Sequence, residues 1–299
     1  MIPTLLILYE TMLYVGLSEA KATELWTRWS NWPPNHPIRR ESDPDDGCGL
    51  VVEFDNLILA SFENKPDAAD DSEQEWRACL DRCGISSDLQ DAIMGPHFEY
   101  LRLSQSCIYW INDTVKMRYA GLVVIHMTWR ERERQLRRDA SENQGESSDE
   151  ETYESRLEPC FAYEPLQQHT PGYSRDVWGS KNATAACTAA PGHTLLFKAQ
   201  DQGRLAGLFD ETGTLDRLQS LLSSASSDFS GLCAHFYFSP DYRVAEYYAA
   251  YAKRRAKYVS VVIICMSIPN AAIESLVAPN FQRISVSYTH LTLPTNREV

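Results

Sequence analysis

A charged stretch that is poor in apolar residues divides the chain and limits what it can fold into. Five arginines and two glutamates lie within residues 130–138, and the residues that follow are polar and acidic with almost no large apolar side chain. Such a segment buries too little apolar surface to offset the conformational entropy lost on ordering. We therefore predict a disordered linker over residues 139–193, with a folded unit on each side, at residues 1–138 and 194–285.

The acidic residues are concentrated in two places. The net charge is −13, and residues 41–75 alone hold twelve acidic side chains and one lysine. A second acidic stretch covers residues 139–164, so the remaining, folded parts are mildly basic. No strongly basic domain and no basic stripe with interleaved aromatic residues is present, which argues against a nucleic-acid-binding protein.

Cysteine usage and the first residues indicate the compartment. No Lys or Arg precedes Glu10, so a signal peptide would lack its basic segment, and no apolar run approaches the length of a membrane span. Eight cysteines occur without a CxxC pair. Cys79 and Cys83 lie one helical turn apart and could hold half of a metal site, but no second pair accompanies them. We predict an intracellular protein, cytoplasmic or nuclear, with no membrane segment, no metal and free buried thiols.

Serine caps predict the helices of the first unit. Ser18 precedes an apolar face with helical spacing. Ser72 opens a capping-box pattern that predicts a helix through about Cys83, and the pattern repeats from Ser87 for a second short helix. The apolar face after Ser18 consists of Ala22, Leu25, Trp26 and Trp29.

Runs of β-branched and aromatic residues predict the strands of the first unit. Leu50–Phe54 and Leu57–Phe62 have the pattern of a hairpin, and Cys107–Ile111 and Gly121–Met127 are β-type runs. Together with the helices, these runs predict an accessory α+β domain, whose role the sequence does not indicate.

The second unit mixes the same two kinds of pattern. Thr194–Phe197 and Phe236–Phe238 are predicted strands, and Thr214–Leu222 carries leucines at helical spacing. Val259–Ile268 is a nearly continuous apolar run, the pattern of a central strand buried on both faces. The fold class is thus α+β, with two small mixed domains joined by an acidic linker.

The clearest local signal is a strand–turn–helix unit at residues 236–256. Ser239 is the expected N-cap, Pro240 follows at the first helical position and Asp241 lies in the first turn. A stripe at helical spacing follows, and core packing is its simplest interpretation. Three tyrosines in one stripe are nevertheless unusual, because a core usually prefers aliphatic residues where no hydroxyl partner exists. The stripe consists of Val244, Tyr247, Tyr248 and Tyr251.

Three short motifs give this unit a family resemblance. The chain has Leu196-Phe197-Lys198-Ala199 on its first strand and Tyr237-Phe238-Ser239 before the helix, with Tyr248 ten residues after the phenylalanine. Over residues 194–285 this resembles the ADP-ribosyltransferase-like fold. The resemblance implies that NAD lies in a cleft between two small sheets, as a substrate rather than a tightly bound cofactor. It also implies that Lys198, Tyr237, Ser239 and Tyr248 are the NAD-binding residues, with Tyr248 stacked on nicotinamide.

The chain departs from the family pattern at three points. Lys198 stands where the family has His or Arg, and an ammonium cannot present the paired donors of a guanidinium. Ala245 stands where poly-type members have a serine. The family's catalytic glutamate should follow the Val259–Ile268 strand, and Glu274 comes too soon after the turn to fill that place. No catalytic residue can therefore be assigned.

The last residues add to this departure. Residues 286–299 resemble translated sequencing-adaptor DNA, and a natural polar C-terminus is the alternative interpretation. We predict a non-native or unstructured tail, and a second domain that is incomplete at its C-terminal end.

Two functions follow from these observations. The first is a degenerate or truncated ADP-ribosyltransferase-like protein, which transfers ADP-ribose from NAD if a full-length form is active and is inactive as written. The alternative is a non-catalytic interaction or scaffold protein that binds a protein partner through its first domain or its linker.

Overall fold

Helices and a two-stranded sheet make up the described part of the chain. The structure is a computed structural model and describes residues 2–31, 53–143, 191–210, 212–223 and 234–277. The α+β class is confirmed for these residues. The elements are α1 (Tyr9–Val15), α2 (Glu19–Ser30), α3 (Phe54–Ala60), α4 (Glu73–Arg82), α5 (Ser87–Ile93), α6 (Glu99–Arg102), α7 (Cys107–Asn143), β1 (His193–Asp201), α8 (Tyr242–Arg255), β2 (Val261–Pro269) and α9 (Asn270–Glu274).

Two of the three predicted serine caps are confirmed. The Ser18 hydroxyl accepts a hydrogen bond from the Lys21 backbone N–H at the start of α2, and Ser72 does the same from Glu75 at the start of α4. The third helix, α5, exists as predicted, but its N-cap is Ser86, and that side chain makes no capping hydrogen bond. Capping by side chains therefore supports two of these helix starts, while packing fixes the third.

Two similar loops, one after α1 and one after α4, are hydrogen-bonded to each other. Gly16 follows α1 and Gly84 follows α4, and both have positive φ, which favours glycine. The Ser18 N–H donates to the Gly84 carbonyl at 2.8 Å, and the Ser86 N–H donates to the Gly16 carbonyl at 2.9 Å. A side chain at position 16 would also meet Leu89 at 2.2 Å. The two helix–loop–helix units are thus locked together through their loops.

The predicted hairpin at residues 50–62 is wrong. Residues 54–60 form α3, and residues 50–52 lie outside the described part of the chain. Phe54, Leu57 and Ile58 are buried, with the i, i+3, i+4 spacing of one helix face. The same apolar residues fit both patterns, and contact with the long helix α7 favours the helix.

The two predicted β-type runs at 107–111 and 121–127 are also wrong, because both lie within α7. This helix is buried on two sides. Ile111 and Val115 belong to the main core, while Met117 packs with Ala256 and Val259 in a smaller cluster. A helix covered on two sides has few polar positions, so its sequence resembles a buried strand.

The main core joins the helices of both halves of the chain. Phe54 is fully buried and lies 5.1 Å from Trp29 in an edge-to-face contact. Tyr251 of α8 is equally buried and belongs to the same cluster, where its ring lies 5.0 Å from Trp110. The helix predicted to belong to the second unit thus completes a core built by the first.

β1 and β2 form an antiparallel pair that runs from His193 opposite Pro269 to Asp201 opposite Val261. The strand predicted at Thr194–Phe197 is confirmed and extends further. β2 was predicted to be buried on both faces, and this is wrong. Its side chains are only partly buried, and among the described residues β1 is its only strand partner.

Two further predicted elements are not formed. Only a short 3₁₀ turn, Leu218–Leu221, lies within the predicted helix 214–222, and the leucines at 215 and 218 are exposed. Residues 236–238 are not a strand. Single bridges flank them instead, between His235 and Ser223 and between Ser239 and Phe197. The sheet therefore ends at two strands in the described residues.

Helix α8 begins two residues later than predicted. Its N-cap is Asp241, whose carboxylate accepts from the Arg243 N–H, while the Ser239 hydroxyl accepts from the Asp241 N–H. The Asp241 side chain therefore caps the helix, whereas the Ser239 side chain accepts a hydrogen bond within the turn before it.

The predicted linker and tail lie largely outside the described residues. α7 continues as far as Asn143, so the first residues assigned to the linker are helical. The tail at 286–299 is not described. Among the described residues, the helices include none with a long enough apolar stretch to cross a membrane.

Candidate ligand-binding cavity

A cavity of about 360 Å³ lies between helix α7, strand β1 and helix α8. Its walls come from both halves of the chain, since α7 precedes and β1 follows the undescribed residues 144–190. The volume falls at the small end of the range of roughly 300–1,000 Å³ that is usual for small-molecule sites. The described structure thus offers a pocket for part of a nucleotide or for a smaller molecule.

All four residues predicted from the sequence line this cavity. Lys198 lies on β1 and Tyr248 on α8. Ser239 is held against the neighbouring strand position, because its backbone exchanges two hydrogen bonds with Phe197, at 2.7 and 2.9 Å. Tyr237 lies two residues before this bridge. The cavity is therefore bounded by the strand and helix that carry the family motifs, although α7, and not a second sheet, closes it.

A largely buried ion-pair network lines the cavity, and no pattern in the sequence predicts it. Asp113 of α7 receives an NH1 contact from Arg204 at 2.7 Å and from Arg255 at 2.8 Å. Arg204 Nε also contacts Asp201. The partners lie 91 and 142 residues apart along the chain, so no local motif marks them.

The network fixes the charge state of Asp113. Burial by itself would raise the pKa of this carboxyl, but the charges of Arg204 and Arg255 and their hydrogen bonds outweigh burial and hold the pKa below its usual range. The side chain is 10% exposed. Asp113 is thus ionised at neutral pH and serves to bind the two guanidinium groups.

Arg255 is held by aromatic rings and retains one unused donor. Its guanidinium carbon lies 4.6 Å from the Trp110 ring centre and 4.5 Å from that of Tyr251, and NH1 also donates to Thr114 Oγ1 at 2.7 Å. Its Nε is buried and has no hydrogen-bond acceptor among the described residues. This donor is thus unsatisfied within the described part of the chain.

Lys198 is a buried cation beside a hydroxyl. Burial, followed by repulsion from Arg204, lowers its pKa to about 8, and attraction to Asp113 opposes this only in part. Nζ donates to Ser223 Oγ at 2.8 Å. Lys198 was predicted as an NAD-binding residue, and in the structure it lines the cavity.

The carboxylates that line the cavity are both used in ion pairs. Among the described residues these are Asp113 and Asp201, and Arg204 contacts both. Glu274, weighed above as a catalytic candidate, lies exposed on the short helix α9 and does not line the cavity. The described site therefore has no unpaired carboxylate that could stabilise a ribosyl cation.

The cysteines that drew attention in the sequence lie elsewhere, in the main core. Three buried cysteines form no disulfide: Cys79, Cys83 and Cys107. The Cys79 Sγ lies 3.9 Å from Asp67 Oδ1. Asp67 Oδ1 already accepts from two backbone N–H groups, including that of Ile108 in the first turn of α7. Hydrogen bonds to Cys79, then burial, raise the pKa of Cys83 and Cys107. The cluster is accounted for by the packing of α4 on α7.

Comparison with known proteins identifies no relative. No protein-family model, curated protein or solved structure matches the chain.

Proposed function

We propose that the chain is a degenerate ADP-ribosyltransferase-like protein that binds NAD, or a closely similar nucleotide, in the cavity without transferring ADP-ribose. One observation carries the proposal. Four residues chosen from short motifs in the sequence, Lys198, Tyr237, Ser239 and Tyr248, all line a single cavity.

The charge of the cavity supports an anionic ligand. Three cations, Lys198, Arg204 and Arg255, face two carboxylates, Asp113 and Asp201, which leaves one positive charge in excess. A phosphate is a group that guanidinium and ammonium side chains bind well.

The aromatic side chains support a ligand with a planar ring. Tyr248 is 43% exposed although it lines the cavity, so part of this side chain is accessible from solvent. Tyr109, Trp110 and Tyr237 also contribute to the wall. Stacking on such rings is favourable for any nucleotide base, whatever the positions of its hydrogen-bond donors and acceptors.

The pairing of the cavity carboxylates supports binding without transfer. Group transfer of this type needs a carboxylate aimed at the ribosyl cation that develops in the transition state. Asp113 and Asp201 are engaged by arginines. Transfer would therefore need a carboxylate from outside the described residues.

The test is a calorimetric titration of the full chain with NAD. We expect binding by the wild type and an affinity about 5-fold to 150-fold lower for Tyr248→Ala, because a lost base–aromatic stack costs roughly 1–3 kcal/mol. Tyr100→Ala is the matched control, since Tyr100 is 90% exposed and does not line the cavity. With labelled NAD we expect no transfer to protein.

Two results would contradict the proposal. One is a wild-type chain that does not bind NAD, and the other is equal NAD affinity in wild type and Tyr248→Ala. Either result would favour the alternative, a non-catalytic interaction or scaffold protein.

A further inference from the structure

The cavity contains a serine and a lysine in direct contact. Lys198 Nζ lies 2.8 Å from Ser223 Oγ, within hydrogen-bond distance, and both residues line the cavity. The lysine is 9% exposed, and the serine is partly buried. A hydroxyl next to an amine in a partly enclosed cavity is the arrangement of a nucleophile with its general base.

We propose that Ser223 and Lys198 form a nucleophile–base pair that cleaves small acyl esters in this cavity. The proposal goes beyond nucleotide binding and does not depend on it, because it invokes Ser223, which that function does not use.

The backbone holds both members of the pair in place. Lys198 is in the middle of β1, where it lies opposite Ile264 of β2. Ser223 is bridged to His235, since its N–H donates to the His235 carbonyl at 2.9 Å. Hydrogen-bonded backbone thus anchors both residues and holds the nucleophile close to the base.

The protonation of Lys198 suits a base near neutral pH. A lysine at its ordinary pKa is almost fully protonated at pH 7, but burial brings this pKa to about 8, so a useful fraction is neutral. The surrounding charged and titratable groups of the cavity are Tyr109 and Asp113 on α7, Asp201 on β1, Arg204 after β1, Tyr237, and Tyr248 and Arg255 on α8.

The reaction balances with water as the only co-reactant. Neutral Lys198 takes the proton of Ser223 as Oγ bonds to the acyl carbon, and the carbonyl π electrons move to its oxygen. The bond to the leaving alcohol then breaks, and the Lys198 ammonium protonates that alcohol. In the second half, Lys198 deprotonates a water molecule that attacks the acyl-serine, and Ser223 leaves with the proton.

The cations of the cavity assist the charged intermediate. Arg204 and Arg255 line the same space as Ser223, and their charges are balanced by Asp113 and Asp201. Once Lys198 has taken the serine proton, its ammonium leaves the cavity with one positive charge in excess. That charge favours the oxyanion that forms on attack.

The test uses a fluorophosphonate probe on the full chain, with the labelled residue located by peptide mass mapping. We expect the wild type to be labelled at Ser223, with a rate that rises as Lys198 loses its proton and is half-maximal near pH 8. Ser223→Ala should lose the label. Ser220→Ala is the matched control, because Ser220 lies three residues away, donates to the Arg217 carbonyl and does not line the cavity.

The variant Lys198→Arg distinguishes between two roles of Lys198, a general base and a cation that binds anions. Arginine keeps the positive charge but stays protonated, so it cannot accept the serine proton. We expect Lys198→Arg to be labelled about 10²–10⁴-fold more slowly and to lose the inflection near pH 8.

Four results would overturn the proposal: no labelling of the wild type, a label mapped to a residue other than Ser223, a rate that does not change between pH 6 and 9, or equal rates for wild type and Lys198→Arg. The label position and the pH profile come from the wild type alone, so a variant that fails to fold leaves the test intact.

Discussion

The two faces of helix α8 differ in what they contact and in what they can do. One face packs on the helical half of the chain. The Tyr251 hydroxyl donates to the Ile93 carbonyl at 3.0 Å, and the Arg254 guanidinium donates to the carbonyls of Asp91 and Ala92. The other face lines the cavity, and Tyr248 on it is 43% exposed.

This difference separates stability from function within a single helix. The polar groups of Tyr251 and Arg254 have backbone partners in another helix, and the buried Tyr251 hydroxyl loses its partner if that contact is broken. Tyr248 borders the open cavity, whereas Arg255, which also lines it, is buried in the ion-pair network. We therefore expect substitutions at Tyr251 and Arg255 to alter the free energy of unfolding, and substitutions at Tyr248 to alter ligand binding.

The largest expected effect comes from Asp113, on which both halves of the chain converge. Asp113→Asn leaves the buried guanidinium of Arg255 and the partly buried guanidinium of Arg204 without their shared anion, and Arg204 keeps only Asp201. We expect the free energy of unfolding to fall by about 3–5 kcal/mol in urea denaturation at pH 7. Asp91→Asn is the control, because Asp91 forms an exposed ion pair with Arg77 and should cost about 1 kcal/mol or less. Equal costs for the two variants would refute a buried network.

Acidification should weaken the same network. The folded-state pKa of Asp113 is held below its unfolded value, so the stability that this group contributes is fully present above the unfolded pKa of about 3.9 and is lost as the pH falls below it. We expect the free energy of unfolding of the wild type to fall more steeply below pH 4 than that of Asp113→Asn. Parallel pH dependences of the two proteins would contradict this role.

A smaller loss is expected on the packed face of α8. Tyr251→Phe removes the hydroxyl that bonds to Ile93 and keeps the ring. The expected cost is about 1 kcal/mol, the usual net value of one intramolecular hydrogen bond. Thermal unfolding is a suitable measurement, and an unchanged midpoint would show that this hydroxyl contributes nothing.

The smallest effect on stability is expected on the cavity face. Tyr248→Phe should change the free energy of unfolding by no more than about 0.5 kcal/mol, since Tyr248 is 43% exposed whereas Tyr251 is fully buried. A cost equal to or above that of Tyr251→Phe would show that the Tyr248 hydroxyl supports the fold.

The sequence predicts the capped helices and the first strand well, because those signals are local. Ser18 and Ser72 each lie immediately before a helix with one clear apolar face. The sequence predicts the wrong secondary structure where a helix is buried on two sides. Residues 121–127 contain a β-branched apolar run, yet Gly121 packs on Val259 while the other side of α7 faces the main core. Secondary structure there depends on tertiary contact.

The residues of the candidate site also differ in whether local sequence can predict them. Lys198, Tyr237, Ser239 and Tyr248 could be found from motifs a few residues long. Asp113 could not, because it belongs to the other half of the chain and gains its role only when Arg204 and Arg255 are brought to it by folding. Charged residues at a distance carry no sequence pattern that identifies their partners.

Hydrogen–deuterium exchange of the full chain, with and without NAD, tests the central claim most directly. A ligand in the cavity contacts walls from both halves of the chain. We predict that NAD slows amide exchange in residues 104–113 and in residues 197–204 together, and leaves α2 unchanged. Exchange slowed in only one of the two walls, or in neither, would contradict a nucleotide site built between them.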